Sequence, residues 1–149
     1  MRTAWKVLTL TGCSVALLAG AAGADPEPPP TAVTLADGTM QGRVTIRTGR
    51  ATEVVVRTIT IPPGGTTGWH YHPGRLIGVV RSGTLTRYEA DCRPRVYPVG
   101  SALVEPSGPR EVHLGRNLGR TPVVLVVTYL DPVGAPLAVP VANPGCPVS

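Results

Sequence analysis

Only three histidines occur in the 149-residue chain, and two of them flank a single tyrosine in the segment Gly68-Trp69-His70-Tyr71-His72-Pro73. On an extended strand, residues i and i+2 project from the same face, so the imidazoles of His70 and His72 can share one ligand. Neutral imidazole suits iron, manganese, nickel, copper or zinc, and the residue types do not choose among them. A His-x-His pair alone does not separate a metal site from a hydrogen-bonded surface pair. Tyr71 and Trp69 alternate with the histidines and point to the opposite face, where packing is the expected role. The third histidine, His113, lies well downstream. No Ser/His/Asp arrangement, phosphate-cradling glycine loop or Cys-x-x-Cys pair supports a different chemistry.

The elements that must hold these side chains read as strands. Short β-type runs at 42–48, 53–61, 76–80, 84–88, 102–104, 111–114 and 123–130 alternate with turn signals such as Pro62-Pro63-Gly64-Gly65, Arg81-Ser82-Gly83 and Ser107-Gly108-Pro109. Phe is absent, aromatics make up 4% of the chain, and valine dominates the apolar content, which favours a core of β-branched side chains on pleated strands. No stretch after the first 24 residues keeps a helical period without Gly or Pro. An all-β sandwich or barrel is therefore expected.

Met1-Arg2-Thr3-Ala4-Trp5-Lys6, an apolar run to Gly20, and Ala22-Gly23-Ala24 have the form of a signal peptide, with Asp25 as the expected mature start. Leu10-Thr11-Gly12-Cys13 offers a second route, lipidation of Cys13. Either route places the protein outside the cytoplasm, secreted or in the cell envelope, and the apolar run is too short and interrupted for a stable membrane span. Cys92 and Cys146 remain as an even pair, which in an oxidising compartment suggests a disulfide. It would close a loop of about 55 residues and stabilise by roughly 4 kcal/mol on the chain-entropy model. Without Arg2 and Lys6 the basic count falls from 14 to 12 against 9 acidic residues, a net charge of +3. The arginines are spread without a dense run or interleaved aromatics, so no nucleic-acid partner is expected.

The spacing around the histidines resembles the two motifs of the cupin superfamily. Gly64, His70, His72, position 76 and Gly83 reproduce G-x5-H-x-H-x3,4-E-x6-G, except that Leu76 stands where the family has glutamate. Gly100, Pro106, Gly108, His113 and Asn117 follow G-x5-P-x-G-x2-H-x3-N, with two extra residues before the histidine. The resemblance implies a double-stranded β-helix, or jelly-roll, barrel, with a divalent transition metal held by His70, His72 and His113. Leucine cannot ligate, so the family's carboxylate is missing at that position. Glu111, two residues before His113, would face the interior with it if both lay on one strand, and is the candidate replacement; a bulge there would leave it in solvent. Gly64, Gly83, Gly100, Pro106 and Gly108 serve the turns, and Asn117 is expected to be structural.

On this reading the chain divides into a signal peptide 1–24, a Pro-rich linker and first strand 25–40, a cupin barrel 41–131 and a Pro-rich tail 132–149, which Cys146 would fasten. The function implied is binding of a metal and of a small-molecule ligand in the barrel, with oxygenase-type or isomerase-type turnover suggested by fold analogy only. The alternative is a metal-free module whose cavity, lined by Leu76 and its neighbours, binds an apolar ligand. Open sheet edges leave pairing into a homodimer open.

Overall fold

Valine, isoleucine and threonine alternate along the longest runs, and these runs form the longest ladder of the fold. In the computed structural model, which describes residues 31–148, there is no helix among the described residues and ten strands are present. They are β1 Thr39–Met40, β2 Thr52–Ile61, β3 His70–Tyr71, β4 Arg75–Ser82, β5 Thr84–Glu89, β6 Pro94–Pro98, β7 Ser101–Glu105, β8 His113–Arg116, β9 Val123–Pro132 and β10 Val139–Pro140. The expected signal peptide, Cys13 and the proline run ending at Pro30 lie outside the described residues. Val33–Ser149 pack as one unit.

The strands make two five-stranded sheets, in the orders β1-β7-β4-β9-β2 and β10-β3-β8-β5-β6. β9, between β4 and the edge strand β2 of the first, alternates strictly between buried and half-buried residues, so Val123, Leu125, Val127 and Tyr129 all face inward. They meet Ile61 of β2, Leu76 and Val80 of β4 and Leu103 of β7, while Leu85 of β5 and Tyr97 of β6 join from the second sheet. One core thus spans the two inner faces, as expected for an all-β jelly roll.

A smaller cluster lies on the outer side of the second sheet. Trp69, Leu114 and Cys146 are buried there, with Tyr88, Cys92, Val112, Val141 and Val148 packed against them. Trp69 therefore packs on the face opposite His70, as the alternation required. The Sγ atoms of Cys92 and Cys146 stand at bonding distance, 2.09 Å, and fasten the tail to the β5–β6 turn. Such a pair fits an oxidising compartment. No helix among the described residues is long and apolar enough to cross a membrane.

Three local expectations change. Residues 42–48 form no strand: Val44 is exposed, and no neighbouring strand takes up their backbone. β6 was not anticipated, because proline bounds it at both ends; it is tolerated there since β6 is the edge of its sheet. The strand carrying His113 starts at His113 itself and not at Glu111. Gly74 shows how tightly the turn after His72 is packed, because a Cβ there would lie 2.1 Å from the Leu130 carbonyl oxygen. Its N–H donates to Asp131 Oδ1 at 2.6 Å, tying that turn to β9.

Candidate metal centre

β3 and β8 pair with His70 directly opposite His113, so the sheet register alone brings histidines of the two motifs together. His72 follows β3 and is buried, as is His113. The ring centroids of the three lie 4.5 to 5.2 Å apart. The carboxylate that joins them is Glu105, at the end of β7. One potential ligand atom from each of His70, His72, Glu105 and His113 can be chosen so that all lie within 4.8 Å of one another.

Glu105 was not anticipated. Leu76 of β4 pairs across the ladder with Glu105 of β7, so the carboxylate sits on the strand beside the position where the family motif carries one. Glu111 does not join the cluster. It lies in the turn before β8, where its N–H donates to the Gly108 carbonyl, and the strand alternation that would have aimed it inward has not begun. Its contribution is its main chain, whose carbonyl lies 2.8 Å from His113 Nδ1. A signal for Glu105 existed in the period-2 pattern, since Leu103 and Glu105 share the buried face of β7.

All three imidazoles meet a backbone carbonyl through Nδ1. His70 meets Gly68 at 2.8 Å, His72 meets Leu137 at 2.6 Å, and His113 meets Glu111 at 2.8 Å. A carbonyl only accepts, so Nδ1 carries the proton in each ring and Nε2 is left with its lone pair. The Nε2 atoms point at one another and at Glu105: His70 to His72 is 3.2 Å, and both His72 and His113 stand 2.9 Å from Glu105 Oε2. His113 Nε2 is buried, and its contact with Glu105 lacks hydrogen-bond geometry.

Electrostatics follow from this crowding of acceptors. Burial holds His70 down to about 4, with the neighbouring histidines adding to the effect against the Gly68 hydrogen bond. Burial opposes the charge on His72 too, but the Glu105 and Leu137 hydrogen bonds outweigh it and raise that group above its ordinary value. Glu105 is held well below the usual carboxylate range: burial works against this, and His113, His72 and Arg87 overcome it. Arg87, buried on β5, places Nε 3.2 Å from Glu105 Oε1 and pairs through Nη1 with Glu89. Neither its Nε nor its Nη2 makes a hydrogen bond within the protein, the Nε contact with Glu105 being an ion pair only.

Three imidazole Nε2 atoms and a carboxylate converge in a buried pocket, with His70 and His72 nitrogen to nitrogen and His113 Nε2 without a hydrogen-bond partner. Such a set fits a divalent transition metal, whose N/O coordination uses these atom types, and a cation would relieve the mutual repulsion. Beside the cluster is a cavity of about 50 Å³, walled by Ile59, Leu76, Leu103, Leu125 and Val127 and edged by Tyr129. Asn117, fully buried, holds turns instead: its amide donates to the Ile61 and Thr121 carbonyls and accepts from the Gly119 N–H.

A family model for the cupin domain matches residues 57–129. With the two-sheet fold and the motif histidines, this match makes the chain a small member of the cupin superfamily. Among solved structures, a conserved protein with a double-stranded β-helix domain from Klebsiella pneumoniae aligns at a TM-score of 0.51 and 24% identity, over 62% of this chain and 78% of that one. A DMSP lyase from Ruegeria pomeroyi aligns at 0.53 and 21%, over 62% and 45%. Both share the fold. A recombinant oxalate oxidase in complex with glycolate aligns at 0.50 and 28% identity, over 58% of this chain and 45% of that one. The chain thus spans less than half the length of that oxidase. No curated protein sequence matches the chain.

Proposed function

We propose that the chain is an exported cupin that binds one divalent transition metal ion through Nε2 of His70, His72 and His113 and the carboxylate of Glu105. The observation that carries this reading is the convergence of one carboxylate and three imidazole Nε2 atoms on one point, each ring already committed through Nδ1 to a backbone carbonyl. A metal-free hydrogen-bonding role, the competing reading, would leave His113 Nε2 buried without a partner. Bound there, the metal would supply Lewis acidity and, if it is iron, manganese or copper, one-electron chemistry.

The chain's own residues limit what reaches it. A cavity of about 50 Å³ admits only a few non-hydrogen atoms, and its walls are aliphatic. Besides the four cluster residues, the polar residues that line it are Thr67, Arg87 and Tyr129, of which Arg87 is cationic and the other two can donate a hydrogen bond. That combination suits a small carboxylic acid, the ligand class of the oxidase aligned with this chain, and turnover of oxygenase type is the activity to look for. The signal peptide 1–24, the even cysteine pair and the +3 charge of the remainder support a secreted or envelope protein with no nucleic-acid partner. The ten-residue edge strand β2 is the edge through which two copies would pair as a homodimer.

Thermal unfolding with and without metal tests the binding. Each candidate metal is added to chelator-stripped protein. Binding to the folded state alone stabilises by about 2.7 kcal/mol at a hundred times Kd, and a chelator should reverse the shift. A melting temperature that ignores iron, manganese, nickel, copper and zinc alike would overturn the proposal.

A further inference from the structure

Two of the three histidines are oriented by their own local segment: the carbonyls on His70 and His113 come from residues two positions upstream. His72 is different. Its Nδ1 partner, the Leu137 carbonyl at 2.6 Å, is 65 residues away in the C-terminal tail. Leu137 packs its side chain on the main core, and Val141 and Val148 pack around Trp69, but few backbone hydrogen bonds tie the tail to the barrel. Val139 and Pro140 pair with Tyr71 and His70 in a two-residue ladder, and the Val141 N–H donates to the Trp69 carbonyl at 3.0 Å. β10 is the sheet edge, so no further strand backs it. What closes the tail is Cys146, buried against Trp69 and Leu114 and joined to Cys92. Asn143 shapes the last turn, accepting from the Cys146 N–H at 2.8 Å.

We propose that the tail is a clasp on the metal centre: the Leu137 carbonyl sets the tautomer and ring orientation of His72, and the Cys92–Cys146 disulfide holds that carbonyl in place. The proposal rests on the metal-binding reading above. Its consequence is that metal affinity depends on the state of the disulfide. A dithiol reductant attacks one sulfur through its thiolate, giving a mixed disulfide. Its second thiol then closes to a cyclic disulfide, leaving Cys92 and Cys146 as thiols after transfer of two electrons and two protons. Cys92 is half-buried in a surface turn, which makes it the accessible sulfur of the pair. Opening converts a closed loop into a free chain end, which a two-residue ladder holds poorly. His72 then loses the partner that fixes its Nε2 lone pair, the kind of support whose removal costs roughly 10- to 100-fold in metal affinity.

The experiment compares the oxidised protein with a Cys92→Ser/Cys146→Ser double variant, which avoids reductants that themselves bind metal. Two quantities are read: affinity for Mn(II) and Zn(II) by competition with a chelating dye, and the His72 tautomer in the metal-free protein by nitrogen-15 NMR. The clasp predicts metal binding weaker by roughly 10- to 100-fold in the double variant, and, at a pH above the titration of His72, a shift of that ring from the single Nδ1–H form to a mixture. The affinity and NMR comparison is repeated with Val141→Pro, which removes the donor to the Trp69 carbonyl with the disulfide intact, in case the double variant does not fold. Unchanged affinity and an unchanged tautomer in a folded variant would overturn the clasp. If the oxidised protein binds neither metal, the metal reading fails by itself, and the tautomer comparison still decides the clasp.

Discussion

Leu76 and Glu105 are cross-strand partners on β4 and β7, and both are buried at the cavity beside the three histidines. The family's motif carboxylate is thus absent from one strand and present on its neighbour. Directly opposed residues have Cβ atoms about 4.5 to 5.5 Å apart, a distance that a longer side chain spans.

The transposition predicts an exchange experiment. Glu105→Leu alone should lose metal affinity and also leave Arg87 short of a partner, which costs about 3 to 5 kcal/mol for a buried pair broken on one side. Leu76→Glu combined with Glu105→Leu should recover metal binding, because the carboxylate returns from the adjacent position. Calorimetric titration with Mn(II) reads both variants; a double variant as poor as the single one would contradict the equivalence of the two positions.

Metal binding should release a proton. In the metal-free chain His72 is raised by its hydrogen bonds to Glu105 and Leu137, so a proton occupies the centre at pH values where a free imidazole is largely neutral. A cation must displace it, and affinity should rise with pH until His72 has titrated. Titrations in buffers of differing ionisation enthalpy measure the release. Heats that do not depend on the buffer near neutral pH would speak against a protonated His72.

The metal-free protein should lose stability on mild acidification. His70 stays neutral down to about 4 in the fold, whereas its value is 6.5 without burial, so between these limits the unfolded chain binds more protons. Stability therefore falls as pH drops through that window. The His72 contribution has the opposite sense, being fully present below its unfolded value, and so does not mask the fall. Glu105, lowered in the fold, adds a further loss below its ordinary value of 4.5. Denaturant midpoints across the range check this; a flat profile from pH 6.5 to 4 would exclude the buried neutral His70.

Asn117→Ala should destabilise without touching the ligands. The substitution strands the Ile61 and Thr121 carbonyls and the Gly119 N–H, and an unsatisfied buried group costs about 1 to 3 kcal/mol, so a total near 3 kcal/mol is expected. Urea unfolding measures it. Metal stoichiometry at low temperature should be unchanged, because no Asn117 atom joins the cluster.

What was legible in the sequence followed from local spacing. His70, His72 and His113 were placed because the motif glycines and prolines specify where strands turn, and a strand turned at the right residue presents its face unambiguously. The carboxylate is harder to place from spacing. Glu111 faces the interior only if it shares a strand with His113; the fold has the other arrangement, in which the two extra residues form a turn and β8 begins later. Glu105 reaches the site through the β4–β7 register, a long-range pairing that spacing along one segment does not disclose. The tail is a related case: its prolines and Cys146 announced a wrapping segment, but the Leu137 carbonyl on His72 depends on where that segment crosses β3.

Elemental analysis of the untagged protein decides whether the three histidines and Glu105 hold a metal. The protein is analysed beside His70→Ala/His72→Ala/His113→Ala and Glu111→Gln variants. Stoichiometric transition metal is expected in the wild type and in Glu111→Gln, and none in the triple-histidine variant. No metal in the wild type, even after incubation with iron, manganese, nickel, copper and zinc, would contradict the metal site, and metal lost from Glu111→Gln would return the carboxylate to Glu111.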